Sequence, residues 1–498
     1  MTAPAVPGEP AGAGPRNVVL VLLDSLRRAS CGPFGTPEVA TPNLDRLATR
    51  ASRLTRHYAG SLPCMPARHD LATGTYDFLW KPWGSLECWE TGLPTRLREA
   101  GVMTQLVTDH YHLFSVGGEN YHHDFVGWEF LRGHEADTWA TEPVDTSFGT
   151  PTLHARDFIY PRNRARFGGE EDYPGPKTMR AAAGWLDRNA GRHERFFLLV
   201  DEFDPHEPFD TPAEYRDVCE DPWDGPPLIW PPYAVEPLDA LRAGHLRAQY
   251  ARKVVMIDRW FGRLLDALDR HHLWDDTVVV VTTDHGLYLG DDDYWGKPPA
   301  PIRRNLSHIP AFLHVPGCSP RDLDALTTTV DLHATVLDVF GLPQGPREAG
   351  HSLLPLARGE RTSVREHVLG GYFGRPPYVT DGTITYQPGR TGDAPTYVYS
   401  NRWSVPAFMQ LAPPDDRAAL GAWMPQVNVP MIRQPVEVSP QQLVGTGNAW
   451  LYDLAEDPAE QRNLAGTRRA EEQGRALLAA ALSEAGAPTE VHQRAGLG

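Results

Sequence analysis

Val18-Val19-Leu20-Val21-Leu22-Leu23, followed at once by Asp24, is the stretch on which the fold turns. The run is too short for a globular helix and shows no polar alternation. It predicts a strand buried on both faces, as in a parallel sheet covered by helices. Four more runs repeat the pattern: Gln105-Leu106-Val107, Phe196-Phe197-Leu198-Leu199-Val200, Val278-Val279-Val280-Val281 and Ala311-Phe312-Leu313-His314-Val315. Helical patterns lie between them. Thr41 and Pro42 suit an N-cap and first helical position, with Leu44, Leu47, Ala48 and Ala51 behind them. A longer stripe runs Tyr250, Val254, Ile257, Phe261, Leu264, Leu265 and Leu268. Strands alternating with helices predict an α/β fold, a large mostly parallel sheet with helices on both faces.

The texture changes after residue 360. Tyr378 to Tyr386 reads as a hairpin around Asp381-Gly382, and a helix is expected near 470–485. The organisation expected is a flexible tail over 1–16, a catalytic α/β domain over 17–360, and a smaller C-terminal subdomain over 361–498. That subdomain would hold an antiparallel sheet plus a helix.

Composition bounds the function. The chain has 498 residues and a net charge of −17, which disfavours a general nucleic-acid binder. No apolar run is long enough to span a bilayer, so no membrane partner is expected. The five cysteines are odd in number, widely spaced and without a CxxC pair, which argues against a disulfide framework. The Ala/Pro/Gly-rich start lacks a basic segment before an apolar core, and a cytoplasmic location is expected.

Chemistry gathers where the strands end. Asp24 follows the first run; Asp109, His110 and His112 follow the second; Asp201, Asp204 and His206 follow the third; Asp284 and His285 follow the fourth. Open α/β sheets bind ligands at the carboxyl ends of their strands, so these groups are expected at one edge. Carboxylates and an imidazole crowded there would suit a hard divalent cation.

The segment Cys64-Met65-Pro66-Ala67-Arg68, continued by Leu71-Ala72-Thr73-Gly74, carries a family resemblance. Cys-x-Pro-x-Arg with Leu-x-Thr-Gly resembles the type I, formylglycine-dependent sulfatases of the alkaline phosphatase superfamily. Further segments resemble that family in order: Asp24-Ser25-Leu26-Arg27, Thr41 to Ala48, Asp204-Pro205-His206-Glu207-Pro208-Phe209, and Thr283-Asp284-His285-Gly286 with Gly290 and Lys297. Leu451-Tyr452-Asp453-Leu454, Asp457-Pro458 and Asn463-Leu464 are similar to its C-terminal signature.

The resemblance implies an alkaline-phosphatase-like fold and hydrolysis of a small-molecule sulfate ester. It implies that Cys64 is oxidised to formylglycine by a formylglycine-generating enzyme and that the hydrated aldehyde attacks sulfur. One divalent metal ion is implied, Ca2+ first and Mg2+ or Mn2+ as alternatives, held by Asp24, Cys64, Asp284 and His285. Arg68 and Lys297 would steady the diol and the sulfate oxygens, and His206 would protonate the leaving alcohol. Two departures stand out. Asp24-Ser25 replaces the paired aspartates of many sulfatases, and Thr108-Asp109-His110-Tyr111-His112 replaces a Gly-Lys-x-His segment. His110 and His112 are therefore the candidate substrate contacts. An alternative with the same machinery is a phosphonate monoester or phosphodiester hydrolase; a non-catalytic binding protein is the third reading. Asp291-Asp292-Asp293 reads as a solvated loop, and Trp80, Trp83 and Trp89 as packing. Tyr121 to Asp124 are weaker pocket candidates. The sequence leaves the oligomeric state and the substrate's alcohol open.

Overall fold

The computed structural model describes residues 14–35, 39–143, 155–391, 394–402, 405–407, 410–439 and 443–498. Most of the tail expected over 1–16 lies outside the described residues. The central sheet has eight strands: β1 Asn17–Leu23, β2 Ser52–Tyr58, β3 Met103–Thr108, β4 Gly127–Phe130, β5 Phe196–Glu202, β6 Thr277–Thr282, β7 Ala311–His314 and β8 Asp322–Thr328. Their spatial order is β8-β2-β7-β6-β1-β5-β3-β4.

All five apolar runs are strands. The pairs β6/β1, β1/β5, β5/β3, β3/β4 and β2/β8 are parallel. The fifth run departs from the parallel expectation, because β7 runs antiparallel to both β6 and β2. The physical reason is local. Continuous apolarity reports burial on both faces, which β7 has, and carries no information on direction. Three strands had no strong sequence signal. β2 and β8 mix polar with apolar residues, and the short edge strand β4 leaves Trp128 48% exposed.

Helices cover both faces. Those used below are α1 Pro42–Ala48, α2 Cys64–Thr73, α3 Pro174–Asn189, α4 Ala240–Arg270, α5 Thr329–Val339 and α6 Arg468–Glu484. One layer packs Val19, Val21 and Val281 against Leu186 of α3 and Tyr250, Ile257 and Leu264 of α4. The other packs Val18, Leu20 and Val280 against Met65 and Leu71 of α2 and Leu332 and Val336 of α5. Thr41 does not cap α1 with its side chain; its Oγ1 accepts from the Gly32 amide at 2.9 Å. The cap comes from α4, where Asp258 accepts from the Asn43 and Leu44 amides at 3.1 and 2.9 Å. That exchange ties α1 to α4 and satisfies two of its orphan donors.

A second sheet lies beside the first. Strands 450–453, 384–387, 378–380 and 368–372 pair antiparallel, and Ser61–Leu62 joins Gly371–Tyr372 in parallel. α6 packs Leu478, Ala481 and Leu482 onto Tyr386 and Leu451 of that sheet. The tip of the strand that leads into α2 thus belongs to the second sheet, so both sheets fix where α2 begins. Among the described residues no helix is long and apolar enough to cross a membrane.

Gly74 ends α2 at φ 70°, and a Cβ there would lie 2.7 Å from the buried His333 ring of α5. Left-handed backbone and lack of space act together at this position. Gly74→Ala is expected to cost about 1–3 kcal/mol, measured as a lower urea midpoint with an unchanged slope.

Candidate active site

Adjacent parallel strands β6, β1, β5 and β3 end at one edge, and each delivers polar groups there. β1 leads into Asp24 and Ser25, β6 leads into Thr283, Asp284 and His285, β5 carries Asp201 near its end, and β3 leads into Asp109 and His110. All of these side chains are buried. α2 approaches the same edge with its first residue, Cys64.

The Cys64 sulfur lies 3.3 Å from His285 Nε2, 3.6 Å from Lys297 Nζ and 3.9 Å from Asp24 Oδ1. Burial, then the Asp24 charge, pushes its thiol well above the ordinary range, against the pull of Lys297. The unmodified thiol is therefore protonated at neutral pH and a poor nucleophile.

Arg68 sits one turn after Cys64 and returns a hydrogen bond to its carbonyl at 3.1 Å. Its guanidinium meets three buried carboxylates. Nε and Nη2 grip Asp201 at 2.9 and 2.6 Å, Nη1 donates to Asp284 at 2.7 Å, and Nη2 lies 3.0 Å from Asp24 Oδ2. A planar fork is needed for this geometry, and a lysine could not reproduce it.

Ser25 stitches the remaining pieces together. Its Oγ donates to Asp24 at 2.8 Å and receives Lys297 at 3.3 Å, while its amide donates to Asp284 at 3.1 Å. It does so from left-handed backbone at φ 62°, a strained conformation for a residue with a side chain. His285 donates from Nδ1 to the Gly286 carbonyl at 2.9 Å, which leaves Nε2 unprotonated and turned toward Cys64. Burial lowers its pKa to about 4, more than Asp284 raises it. A Cβ on Gly286 would fall 2.1 Å from the Asn305 carbonyl, so the close turn after His285 requires glycine.

One ligand atom from each of Asp24, Cys64, Asp284 and His285 falls within 4.8 Å of all the others. These residues fit a hard divalent cation on two observations. Asp24 Oδ2 is buried without a hydrogen bond. Asp24, Asp201 and Asp284 also outnumber Arg68 and Lys297 at the site, so the carboxylates are under-neutralised. Burial and then the Asp284 charge push the Asp24 carboxyl well up. For Asp284, burial acts upward too, but His285 and Arg68 outweigh it and hold the carboxyl low. A formylglycine oxygen in place of the soft sulfur would make the donor set harder still.

The histidines form the other wall around Phe203. The rings of His110, His206, His134 and His112 lie 4.2, 4.2, 4.6 and 5.8 Å from that of Phe203. His110 Nε2 reaches Asp24 Oδ2 at 3.5 Å. His112 Nε2 lies 3.4 Å from Glu135, and its ring meets Trp83 edge-on at 4.8 Å. His206 donates from Nδ1 to the Glu207 carbonyl at 2.7 Å and so keeps Nε2 free of that bond. Burial, then Lys297, lowers its pKa well below the ordinary value.

The structure thus brings Asp24, Cys64, Arg68, Asp284, His285 and Lys297 into one cluster, with His110, His112 and His206 grouped around Phe203. The weaker candidates pack elsewhere. Tyr121 donates to the Gly84 carbonyl, His122 bonds the Leu113 carbonyl, and Asp292 pairs with Arg303 while 44% exposed. Sequence reasoning placed Asp201 at the edge without seeing its grip on Arg68. It missed the linking role of Ser25 and the contact of Glu207 with Tyr233, and it missed Phe203, His134, Glu135 and Tyr233. The replacement of a second aspartate by Ser25 was a signal; the others sit in loops without a readable pattern.

The family model described as Sulfatase matches residues 16–342. The chain belongs to the sulfatase family. The sulfatase chain is 27% identical to human iduronate 2-sulfatase over 60% of each protein, and 24% identical to choline-sulfatase of Rhizobium meliloti over 73% of this chain and 75% of that one. It spans 60% and 59% of the length of the human and mouse iduronate 2-sulfatases. In fold it is similar to a phosphonate monoester hydrolase of Agrobacterium radiobacter, with a TM-score of 0.65, 19% identity and coverage of 94% and 95% of the two chains.

Divalent cation added to the unmodified protein is expected to raise its melting temperature as mass action on the folded state requires. Asp284→Asn is expected to weaken binding of Ca2+, Mg2+ or Mn2+ by at least about 100-fold in titration calorimetry. Equal affinity in that variant would remove Asp284 from the donor set.

Proposed function

We propose that this chain is a sulfuric ester hydrolase that cleaves sulfate monoesters with a formylglycine made from Cys64. The observation that carries the reading is the placement of Cys64. It starts a buried helix, ringed by Asp24, His285 and Lys297, in a site too polar to be a core and too poor in thiolate for cysteine chemistry. Asp24, Asp284, His285 and the modified Cys64 would hold one divalent cation, Ca2+ first, with Mg2+ and Mn2+ equally compatible with oxygen donors. Bound there, the cation supplies charge stabilisation at the transferred group and favours an ionised hydroxyl on residue 64.

The chain's own groups do the rest. Arg68 fixes Asp24, Asp201 and Asp284 and keeps the carboxylates from shifting as charge changes. Lys297, within reach of the Cys64 side chain, holds a sulfate oxygen and stabilises negative charge in transfer. His110 and His112 face the substrate from the β3 end. His206 meets the leaving oxygen from the same histidine wall, beside Phe203. Its Nδ1–H is fixed by the Glu207 carbonyl, so the proton it gives must be on Nε2. Burial, then Lys297, holds the free ring below its ordinary pKa, so the acid role requires a proton taken up on Nε2 with the substrate bound. After transfer, loss of a proton from the second hydroxyl of residue 64 expels sulfate and restores the aldehyde.

One observation favours a second reading, a phosphonate monoester or phosphodiester hydrolase. The Gly-Lys-x-His segment is absent here, as it can be in such hydrolases, and His110 lies 3.5 Å from Asp24 in its place. Those esters and sulfate monoesters each carry a single net negative charge, and product analysis on the purified enzyme separates them. A formylglycine-generating enzyme is the maturation partner this reading requires. Among the described residues the cysteines are free, in keeping with a reducing cytoplasmic setting.

Cys64→Ala is expected to abolish turnover without changing the melting temperature by more than a few degrees. In a leaving-group series, His206→Ala is expected to slow alkyl sulfates by about 100- to 10,000-fold and activated phenyl sulfates far less. Lys297→Ala is expected to slow both. Equal loss for both kinds of ester in His206→Ala would remove His206 as the leaving-group acid.

A further inference from the structure

Glu207 follows His206 in the connector between β5 and α4 and is 1% exposed. α4 holds the connector on both sides of this pair. Lys253 lies 2.7 Å from Asp204 Oδ1 and donates to the Pro208 carbonyl at 2.6 Å. The His206 amide donates to the Phe203 carbonyl at 3.0 Å. The backbone that carries the two side chains is therefore fixed from both ends.

The two oxygens of the Glu207 carboxylate have different surroundings. Oε1 accepts from the Tyr233 hydroxyl. Oε2 is buried without a hydrogen bond and lies 3.5 Å from His206 Nδ1. The Nδ1–H itself goes to the Glu207 carbonyl at 2.7 Å. One residue thus meets the same ring nitrogen twice, with its carbonyl and with a carboxylate steadied by a tyrosine. A buried carboxylate oxygen without a donor is costly, and a positive charge on the ring would offset that cost. The other titratable groups around the ring, Lys297, His134 and His112, all disfavour a positive charge there. Glu207 is the carboxylate that faces it at Nδ1.

We infer that Glu207 is a positioning residue for the leaving-group acid: its carboxylate faces His206 at Nδ1 and stabilises the imidazolium that carries a proton on Nε2. The inference rests on the ester-hydrolase reading and adds to it the group that lets His206 be charged. As the bond from the leaving oxygen to the transferred group breaks, the Nε2 proton passes to that oxygen. The ring returns to its neutral form with Nδ1–H still on the Glu207 carbonyl. An opposite charge within about 4–6 Å favours the charged form of a titrating group by about tenfold or more.

The test is a double-mutant cycle with His206→Ala, read as kcat/KM on ethyl sulfate and on an activated nitrophenyl sulfate. Glu207→Gln keeps the shape of the side chain and removes its charge. It is expected to slow ethyl sulfate about tenfold, mainly through kcat, and the nitrophenyl ester less than twofold. Added to His206→Ala, it is expected to cost less than about twofold on either ester, because the group it acts through is already gone. Glu207→Met carries the same comparison if Glu207→Gln does not fold. Equal loss on both esters, or an undiminished loss on top of His206→Ala, overturns the inference, since Glu207 would then act through Lys297 or through the fold. If wild-type enzyme leaves every sulfate intact but cleaves phosphodiesters or phosphonate esters, the sulfatase reading fails alone. The same cycle on ethyl and nitrophenyl esters of that acid then decides Glu207.

Discussion

Arg68 among its three carboxylates is the interaction on which the site depends. Asp24, Asp201 and Asp284 come from three neighbouring strands, and their charges would drive the strand ends apart without a cation between them. One guanidinium, 3% exposed at its side chain, engages all three. Burying a charged cluster is costly unless every member is paired, so the geometry must be supplied by rigid elements. The parallel sheet fixes the carboxylates, and α2, seated on α5 and started by the second sheet, fixes the arginine. Cys64 shares a helical face with Arg68, so the constraint that places the arginine also places the sulfur.

The same burial sets the protonation states. Desolvation keeps the Cys64 thiol protonated and the His285, His206 and His110 rings neutral. A neutral His285 with its lone pair toward Cys64 is in the form a metal ligand needs. Lys297 is the exception; burial lowers its pKa, but the acidic groups around it, Glu207 and Asp24 among them, raise it further. The pocket therefore keeps one cation for the transferred group and neutral imidazoles around it. Ser25 couples that cation to Asp24, donating to the carboxylate while it receives Lys297.

Much of this was legible in the sequence. Val18 to Leu23 and Val278 to Val281 identified the buried strands because parallel strands are apolar on both sides. The placement of Asp24, Asp284 and His285 just past those runs put them at one edge. Direction was not legible in Ala311 to Val315, whose burial is the same either way. β2 and β8 were missed because polar residues such as His57 and Thr327, bonded to each other at 2.9 Å, satisfy themselves inside the sheet. The roles of Asp201, Glu207 and Tyr233 depend on loops and on hydrogen bonds between segments far apart in the chain, which no local pattern encodes.

The central claim is that residue 64 works as an aldehyde rather than a thiol. The direct measurement is the mass of the proteolytic peptide spanning Cys64, taken from enzyme whose turnover has been measured on the same sample. The account predicts a peptide in which the thiol and one hydrogen are replaced by a single oxygen, in a fraction that rises in step with specific activity across preparations. Full activity in a preparation whose Cys64 peptide carries only the intact thiol would contradict it.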